Sequence, residues 1–381
     1  MKNVLLLGAS GSIGSQTLDI LEKDPSSFRL ISFSVGHQIS KIPAILSRFP
    51  SVKSICVLEK GDIEPLKRRY PNIDFHCGDE GVLELISEKA VNMVVNAIVG
   101  FAGLFPTLKA LELDKTLCLA NKESLVVGGR FVNDLLEKGR GTLYPIDSEH
   151  VAIAKCLSKV DRSDVKRLIL TGSGGAFRSL PLSALKDVTP EMALKHPTWK
   201  MGARITIDCA TMMNKGFEVI EAKELFGFPF SQISIVLHDE SQVHSLIELK
   251  DGTYLADIGA PDMHGPIEYA LREGKNDFEV VSFRSFEELE GLHFHEFDPK
   301  RYPAVPLALK AASLPLGATC VLNAADEEAV RLFLEKKISF LDIGKIVAES
   351  IEKIEMEVKK PDDLKRLDNL AREFVKGGEW R

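Results

Sequence analysis

Three features of the 381-residue sequence predict an α/β protein with an N-terminal doubly wound domain, an α+β middle domain and a C-terminal helical bundle. Short apolar runs alternate with helical periodicity as far as residue 147, the βαβα rhythm of a mostly parallel sheet. Beyond that point strand-like runs cluster around a second glycine-rich turn and an Asp-Gly hairpin signal. From Pro303 onward helical periodicity takes over. The expected boundaries are 1–147, 148–273 for the middle domain, 274–302 for a linker, and 303–381.

The first run, Val4 to Leu7, breaks at Gly8-Ala9-Ser10-Gly11-Ser12-Ile13-Gly14 and is followed by a helical pattern in Ile13, Leu18, Ile20 and Leu21. Strand, glycine turn and helix in that order give a tight turn, close backbone approach to phosphate and a helix N-terminus aimed at the anion. This predicts a Rossmann-type dinucleotide domain, with GxxGxxG spacing in place of the commoner GxGxxG. The second strand, Leu30 to Val35, ends in Gly36-His37-Gln38, where NAD-binding folds usually place an acid for the ribose 2′-hydroxyl. No acid is present there, which favours NADPH. Further strands are expected at Ser54–Leu58, Val91–Ala97, Thr116–Ala120 and Thr142–Ile146. Helices are expected at Asp79–Lys89, Gly103–Leu113 and Ser124–Lys138.

In the middle region a helix (Val151–Leu157) leads to a strand (Arg167–Leu170) and the turn Thr171-Gly172-Ser173-Gly174-Gly175, whose backbone N–H groups suit a phosphate. Lys195 to Gly202 combines His196, Pro197 and Trp199, a mixture that suits a lid closing over a ligand. Arg204–Asp208 reads as a strand and Ala210–Phe226 as a helix. On that helix Asn214 and Glu218 share a face, and a Lys/Glu pair there is ordinarily solvated. Strands are expected at Ile233–Leu237, Val243–Glu248 and Thr253–Ala256, with Asp251-Gly252 turning the last two. Residues 274–302 read as a strand-poor crossing, in which His293 and His295 are structural. The C-terminal helices are expected at Ala304–Ala312, Ala318–Glu335, Ser339–Glu355 and Pro361–Val375.

The composition narrows the function classes. A hydrophobic content of 45%, a charged content of 27% and a net charge of −7 without a basic block disfavour nucleic acid as partner. Cys56, Cys77, Cys118, Cys156, Cys209 and Cys320 form no CxxC pair and read as reduced thiols of a cytoplasmic protein. Val4 to Leu7 is too short for a signal-peptide core, and no apolar run approaches the roughly 18 residues of a membrane span.

Ligands bind outside the carboxyl ends of strands in such sheets, and three polar clusters are expected there: Gly8–Gly14, Asn121-Lys122-Glu123, and Asp147-Ser148-Glu149. In extended backbone Asp147 and Glu149 point to one side, where two acids need a cation between them or a shared proton. An oxygen-only pair suits Mg²⁺ or Mn²⁺. The same triplet also suits the N-cap of the next helix, and the two readings are compatible.

Assembled in order, GASGSIG (8–14), LANKESLV (119–126), PIDSEH (145–150), LTGSGGAF (170–177), HPTWKMG (196–202), DCATMMNKGFE (208–218), PDMHGPI (261–267) and VLNAADEEAV (321–330) resemble the 1-deoxy-D-xylulose 5-phosphate reductoisomerases of the non-mevalonate isoprenoid pathway. The resemblance covers essentially the whole chain. It implies a homodimer that binds NADPH and a divalent metal, rearranges 1-deoxy-D-xylulose 5-phosphate and reduces the product to 2-C-methyl-D-erythritol 4-phosphate. It further implies Asp147, Glu149 and Glu218 as metal ligands. Ser10, Gly11, Ser12 and Ile13 would meet the cofactor's pyrophosphate, Gly36, His37 and Gln38 its adenosine end, and Asn121, Glu123 and Gly202 the nicotinamide side. Lys122, Ser148 and Glu149 would bind substrate oxygens, while Ser173, Cys209, Asn214 and Lys215 would hold its phosphate beneath His196 and Trp199. Lys122, Asp147, Glu149, Glu218 and His196 would carry the catalysis.

The chain departs from the family's usual pattern at three places. Cys209 replaces a phosphate-binding serine with a poorer donor, His37-Gln38 replaces a Lys-Asn pair, and Asp326 replaces an asparagine in the helical region, with no function legible from sequence. Two rival readings are another NAD(P)-dependent sugar-phosphate or semialdehyde dehydrogenase and a non-catalytic NADPH sensor. The first leaves the Asp-Ser-Glu triplet and NKGFE unexplained, and the second predicts loss of carboxylates that are present.

Overall fold

The computed structural model describes residues 1–199, 201–278 and 291–380. They form two compact units. The first contains residues 1–124, 130–147 and 263–278, and the second contains 125–129, 148–262 and 291–380.

Along the chain the first unit runs β1 (Lys2–Leu7), α1 (Ser12–Lys23), β2 (Phe28–Gly36), α2 (Ile42–Arg48), β3 (Ser54–Val57), α3 (Ile63–Arg69), β4 (Asp74–Cys77), α4 (Gly78–Ser87), β5 (Met93–Asn96), α5 (Leu104–Glu112), β6 (Thr116–Leu119), α6 (Glu123–Glu137) and β7 (Thr142–Pro145). The strands form one parallel sheet in the order β4-β3-β2-β1-β5-β6-β7. The order reverses between β1 and β5, and such a switch point opens the crevice where nucleotides bind. Val4, Leu6, Phe33, Val35, Met93 and Val95 are buried in the core, as the faces of a sheet covered by helices require. The strand β4 was not expected: Asp74-Phe75-His76-Cys77 buries only Phe75 and forms the edge of the sheet, so it lacks an apolar run.

The second unit continues with α7 (Ser148–Leu157), β8 (Val165–Gly172), α8 (Pro190–Ala193), α9 (Ala203–Thr211), α10 (Met213–Phe226), β9 (Ile233–His238), β10 (Val243–Leu249) and β11 (Tyr254–Ile258). The chain then returns to the first unit as α11 (His264–Leu271). It re-enters the second as β12 (Phe294–Glu296), α12 (Ala304–Ser313), α13 (Ala318–Leu334), α14 (Phe340–Lys353) and α15 (Pro361–Gly377). A mixed sheet in the order β11-β10-β8-β9-β12 forms its floor. Ile153, Leu168, Leu170, Val219, Ala222 and Ile247 fill the core between that sheet and α7 and α10.

The expected boundaries shift in three places. Residues 263–273, assigned by sequence to the middle domain, belong to the first unit. Ile267, Ala270 and Leu271 are fully buried in its core, and Arg272 reaches Asp24 at 3.1 Å. The 274–302 stretch is not wholly a linker: β12 pairs antiparallel with β9, and residues 279–290 lie outside the described residues. The C-terminal helices do not stand apart, because Val305 and Tyr302 pack on Met212 and Gly216 lets α10 approach Ala308.

Two local expectations also change. Arg204–Asp208 is helical, part of α9: Thr206, Ile207 and Ala210 are buried at helical spacing. The β-branched run Ile205-Thr206-Ile207 imitates a strand. The helix expected from Ala210 to Phe226 is two helices, broken at Met212, whose φ of 64° turns the chain between α9 and α10.

Candidate active site

In the first unit the glycine loop follows β1 at the switch point. Gly8 has φ 81°, and a β-carbon there would sit 2.6 Å from the Ala97 carbonyl oxygen. One on Gly14 would lie 2.2 Å from the Gly8 carbonyl oxygen, so both positions require glycine. The loop therefore folds tightly under the start of α1. Gly11 caps that start without any side chain, and the first turn has no acid. The N-terminal N–H groups and the positive end of the helix dipole are left to an anion. The Ser10 hydroxyl is spent on structure, donating to the Val35 carbonyl at 3.1 Å. Gly36, with φ 55°, ends β2, and His37 and Gln38 are exposed beside it. Lys41, which the sequence reading missed, brings its ammonium to 2.9 Å from the Ser10 carbonyl. This places a cation on the loop where the His37-Gln38 pair supplies none of fixed charge.

At the ends of β6 and β7 the remaining first-unit residues form a hydrogen-bonded ledge. Asn121 donates to the carbonyls of Ile98 and Gly100 at 2.7 and 2.9 Å and to Glu123 at 3.1 Å. Glu123 in turn accepts from the Gly100 N–H at 3.2 Å. Lys122 is buried and pairs with Asp147 at 2.6 Å. Asp147 is the last residue of this unit, and α7 starts at once with Ser148. The triplet is therefore not extended: Ser148 and Glu149 form the first turn of a helix, because the Ser148 hydroxyl donates to Glu149 at 2.7 Å and α7 buries Val151 and Ala152.

The second unit gathers most of the expected substrate residues. Glu149 and Glu218 bring carboxylate oxygens within 4.8 Å of each other. The Lys215 ammonium bridges them, 2.7 Å from Glu149 and in direct contact with Glu218. Asn214 donates to the other Glu218 oxygen. Lys215 is 3% exposed and Glu218 1%, so the pair expected on a solvated face is buried. Burial alone would push the Lys215 ammonium down, but the two carboxylates outweigh it and hold it above its ordinary range. His150, also missed, fixes this cluster from behind. It is fully buried, donates from Nε2 to the Glu218 carbonyl at 3.0 Å, and faces Glu221 at 3.4 Å. It stands directly after the Asp-Ser-Glu triplet, but a single histidine gave no signal of what it would meet.

The glycine turn after β8 lies against the same cluster. A β-carbon on Gly172 would come within 3.1 Å of Lys215 Cε, and one on Gly175 within 2.4 Å of the Cys209 carbonyl oxygen. Ser173, Cys209, Asn214 and Lys215 are thus drawn together. His196 joins them. Its Nδ1 accepts the N–H groups of Thr198 and Trp199 at 3.2 and 2.9 Å, which leaves the proton on Nε2 to donate to Ser173 Oγ at 3.0 Å. Ser173 Oγ also accepts the Gly175 N–H at 3.2 Å, so its own hydroxyl proton is available to a ligand. Burial, reinforced by the Arg178 charge, pulls the His196 imidazole down to about 4. Trp199 is half-buried, its ring centroid 6.3 Å from that of His244. Gly202 caps α9.

Glu149 and Glu218 offer oxygen donors around a point already held by a positive charge, and a hard divalent cation fits that donor chemistry. With a glycine-framed helix start at the switch point of one unit and a buried Lys–Glu cluster beside a glycine turn in the other, the chain is a dinucleotide-binding α/β enzyme. Comparison with known proteins narrows the class. Models of 1-deoxy-D-xylulose 5-phosphate reductoisomerase match residues 4–129, and those of its C-terminal domains match 143–226 and 258–374. The 1-deoxy-D-xylulose 5-phosphate reductoisomerase of Geobacillus sp. (strain WCH70) is 42% identical over 381 residues, covering 99% of each chain. That of Microcystis aeruginosa (strain NIES-843 / IAM M-2473) is also 42% identical, covering 98% of each. A crystal structure of DOX-P reductoisomerase in complex with NADPH, fosmidomycin and magnesium superposes with a TM-score of 0.93 at 35% identity, covering 99% of this chain and 98% of that one. The Zymomonas mobilis enzyme in complex with NADPH gives 0.89 at 37% identity, covering 97% of each. The chain belongs to the 1-deoxy-D-xylulose 5-phosphate reductoisomerase family.

Proposed function

We infer that this protein converts 1-deoxy-D-xylulose 5-phosphate to 2-C-methyl-D-erythritol 4-phosphate, using NADPH and a divalent metal. The observation that carries the reading is the pair of acids Glu149 and Glu218 around one buried positive charge, beside the Ser173 turn, in a chain of this family. Asp147, two residues before Glu149, is the third proposed ligand. The metal, when bound, supplies Lewis-acid polarisation of adjacent substrate oxygens as the carbon skeleton rearranges.

The protein's own groups do the rest. The free N–H groups at the start of α1 hold the cofactor's pyrophosphate, with Gly36, His37, Gln38 and the Lys41 ammonium at the adenosine side. Lys122, fixed by Asp147, sets a positive charge beside the reacting oxygens. Ser148 and Glu149 hold the substrate's hydroxyls. Ser173 donates its free hydroxyl proton to the substrate phosphate, together with Asn214, Lys215 and Cys209. His196 stays neutral and orients Ser173, and His196 and Trp199 shield the phosphate from water. The remote phosphate thereby converts binding energy into orientation of the reacting carbons.

NADPH oxidation in the presence of 1-deoxy-D-xylulose 5-phosphate, followed by absorbance, tests the reading with Mg²⁺ present or chelated. Turnover that survives chelation would overturn the metal assignment, and no turnover with any divalent ion would overturn the function. We further propose that Mn²⁺ replaces Mg²⁺ and that the protein works in the cytoplasm. None of its six cysteines is in a disulfide, and among the described residues no helix is long and apolar enough to cross a membrane. A homodimer is supported by β11, a sheet edge with Tyr254 and Ile258 exposed, and sedimentation equilibrium checks it.

A further inference from the structure

The 0%-exposed carboxyl of Asp326, on α13, lies in a dense charged cluster between α13 and α9. Across the contact Arg204 of α9 reaches Asp326 at 3.9 Å, Glu327 at 2.8 Å and the Asn323 side-chain oxygen at 2.9 Å. It also faces Asp208 of its own helix at 3.5 Å. From α15, Arg372 pairs with Glu327 and, at 2.7 Å, with Asp368. Asp208 is itself buried and lies close enough to Asp326 for their carboxyls to share a hydrogen bond. Among the described residues no N–H or O–H donor reaches either Asp326 oxygen while that acid is ionised. Two buried carboxylates side by side, with one guanidinium between them, cannot both stay charged without a large penalty. A proton on Asp326 removes the excess charge and supplies the missing donor.

We propose that Asp326 is a positioning residue that holds a proton at neutral pH and donates it in a hydrogen bond to Asp208, fastening α9 to α13. The helix α9, capped by Gly202, presents Cys209 beside the Gly175 turn. Fixing α9 therefore fixes the cysteine side of the phosphate site. This rests on the reading of that site as the substrate-phosphate site. Burial first, and the Asp208 charge second, hold the Asp326 carboxyl well above its ordinary range. The folded protein keeps a proton that the unfolded chain releases above about pH 3.8, so stability falls as pH rises from there towards the folded value. Once Asp326 ionises, repulsion from Asp208 and Glu327 loosens α9, and the substrate's KM rises while kcat is less affected.

The test compares the full-length wild type with Asp326→Asn and Asp208→Asn from pH 5 to about pH 9.5, a span set to bracket a raised carboxyl. In each variant an amide donor replaces the acid proton, so the hydrogen bond persists without one. The wild type is expected to lose melting temperature steadily relative to Asp326→Asn as pH rises. Its KM for 1-deoxy-D-xylulose 5-phosphate is expected to rise several-fold at the alkaline end as Asp326 ionises. Both variants should flatten these trends. A carboxylic-acid carbonyl band in the infrared spectrum at neutral pH should disappear in Asp326→Asn. The proposal is overturned if Asp326→Asn keeps the wild-type pH profiles of melting and KM, or if no acid band is lost. Absence of turnover in all three proteins would instead overturn the substrate reading, and the melting and infrared measurements would still decide the Asp326 pairing.

Discussion

Replacing Lys215 with methionine removes the ammonium between Glu149 and Glu218 while keeping most of the side chain's volume. The carboxylate oxygens lie within 4.8 Å. At an effective dielectric constant of about 20, two like charges at that separation repel by about 3.5 kcal/mol. That falls within the roughly 3–5 kcal/mol cost of breaking a buried ion pair. For a domain of this size the metal-free melting midpoint should therefore drop by about 7–14 °C. A divalent ion offers the same two acids a replacement charge, so Mg²⁺ should recover much of the loss. A ligand at a hundredfold excess over its Kd adds about 2.7 kcal/mol. In the wild type the ion must compete with the ammonium, so its stabilisation should be smaller than in Lys215→Met. Differential scanning fluorimetry of metal-stripped protein, titrated with Mg²⁺, measures both quantities. An unchanged metal-free midpoint would refute the electrostatic account of the cluster. Equal Mg²⁺-induced shifts in the two proteins would refute the idea that lysine and metal share these carboxylates.

Three other outcomes follow from the same geometry. Cys209→Ser restores a full hydroxyl donor beside the Gly175 turn and should lower the substrate KM about 2- to 5-fold, the worth of one modest hydrogen bond; steady-state kinetics that show no change would remove Cys209 from the phosphate site. His196 has its imidazole lowered from 6.5 to about 4 by burial and the Arg178 charge, so the folded protein binds fewer protons than the unfolded one in between. Its contribution to stability is present above pH 6.5 and is lost as pH falls towards 4, with a slope of up to about 1.4 kcal/mol per pH unit. Chemical denaturation of His196→Gln across that window should show a correspondingly smaller slope. His37→Lys adds a fixed positive charge at the adenosine end and should lower the KM for NADPH about fivefold without changing that for NADH; equal effects on both cofactors would place residue 37 away from the 2′-phosphate.

What the sequence made legible is what depends on neighbours along the chain. Gly8–Gly14 declared itself because strand, turn and helix are adjacent, and the close approaches at Gly8 and Gly14 only quantify that requirement. The shared face of Asn214 and Glu218 was legible from helical spacing, but their burial was not. It depends on Gly172, on His150 and on Ala308, which packs against Gly216, and all three are far away in sequence. Lys41 escaped notice because only folding brings it back to Ser10. The return of α11 to the first core was equally hidden: Ile267, Ala270 and Leu271 carry an apolar face, and sequence does not name the core it joins.

The strand expected at Arg204–Asp208 was the most consequential misreading. As a strand, Arg204 and Asp208 would be two charges on one face of a sheet, with no reason to meet Asp326. As a helix, the same residues stand one turn apart and present an arginine and an acid together to α13. The departure at Asp326 is inexplicable in the first geometry and follows from the second. An asparagine in that place would donate to Asp208 through its amide, and an aspartic acid can do the same only by keeping its proton. The substitution thus preserves the hydrogen bond and adds a pH dependence that the amide lacks. A change with no function legible along the sequence therefore alters how firmly α9, and with it Cys209, is held.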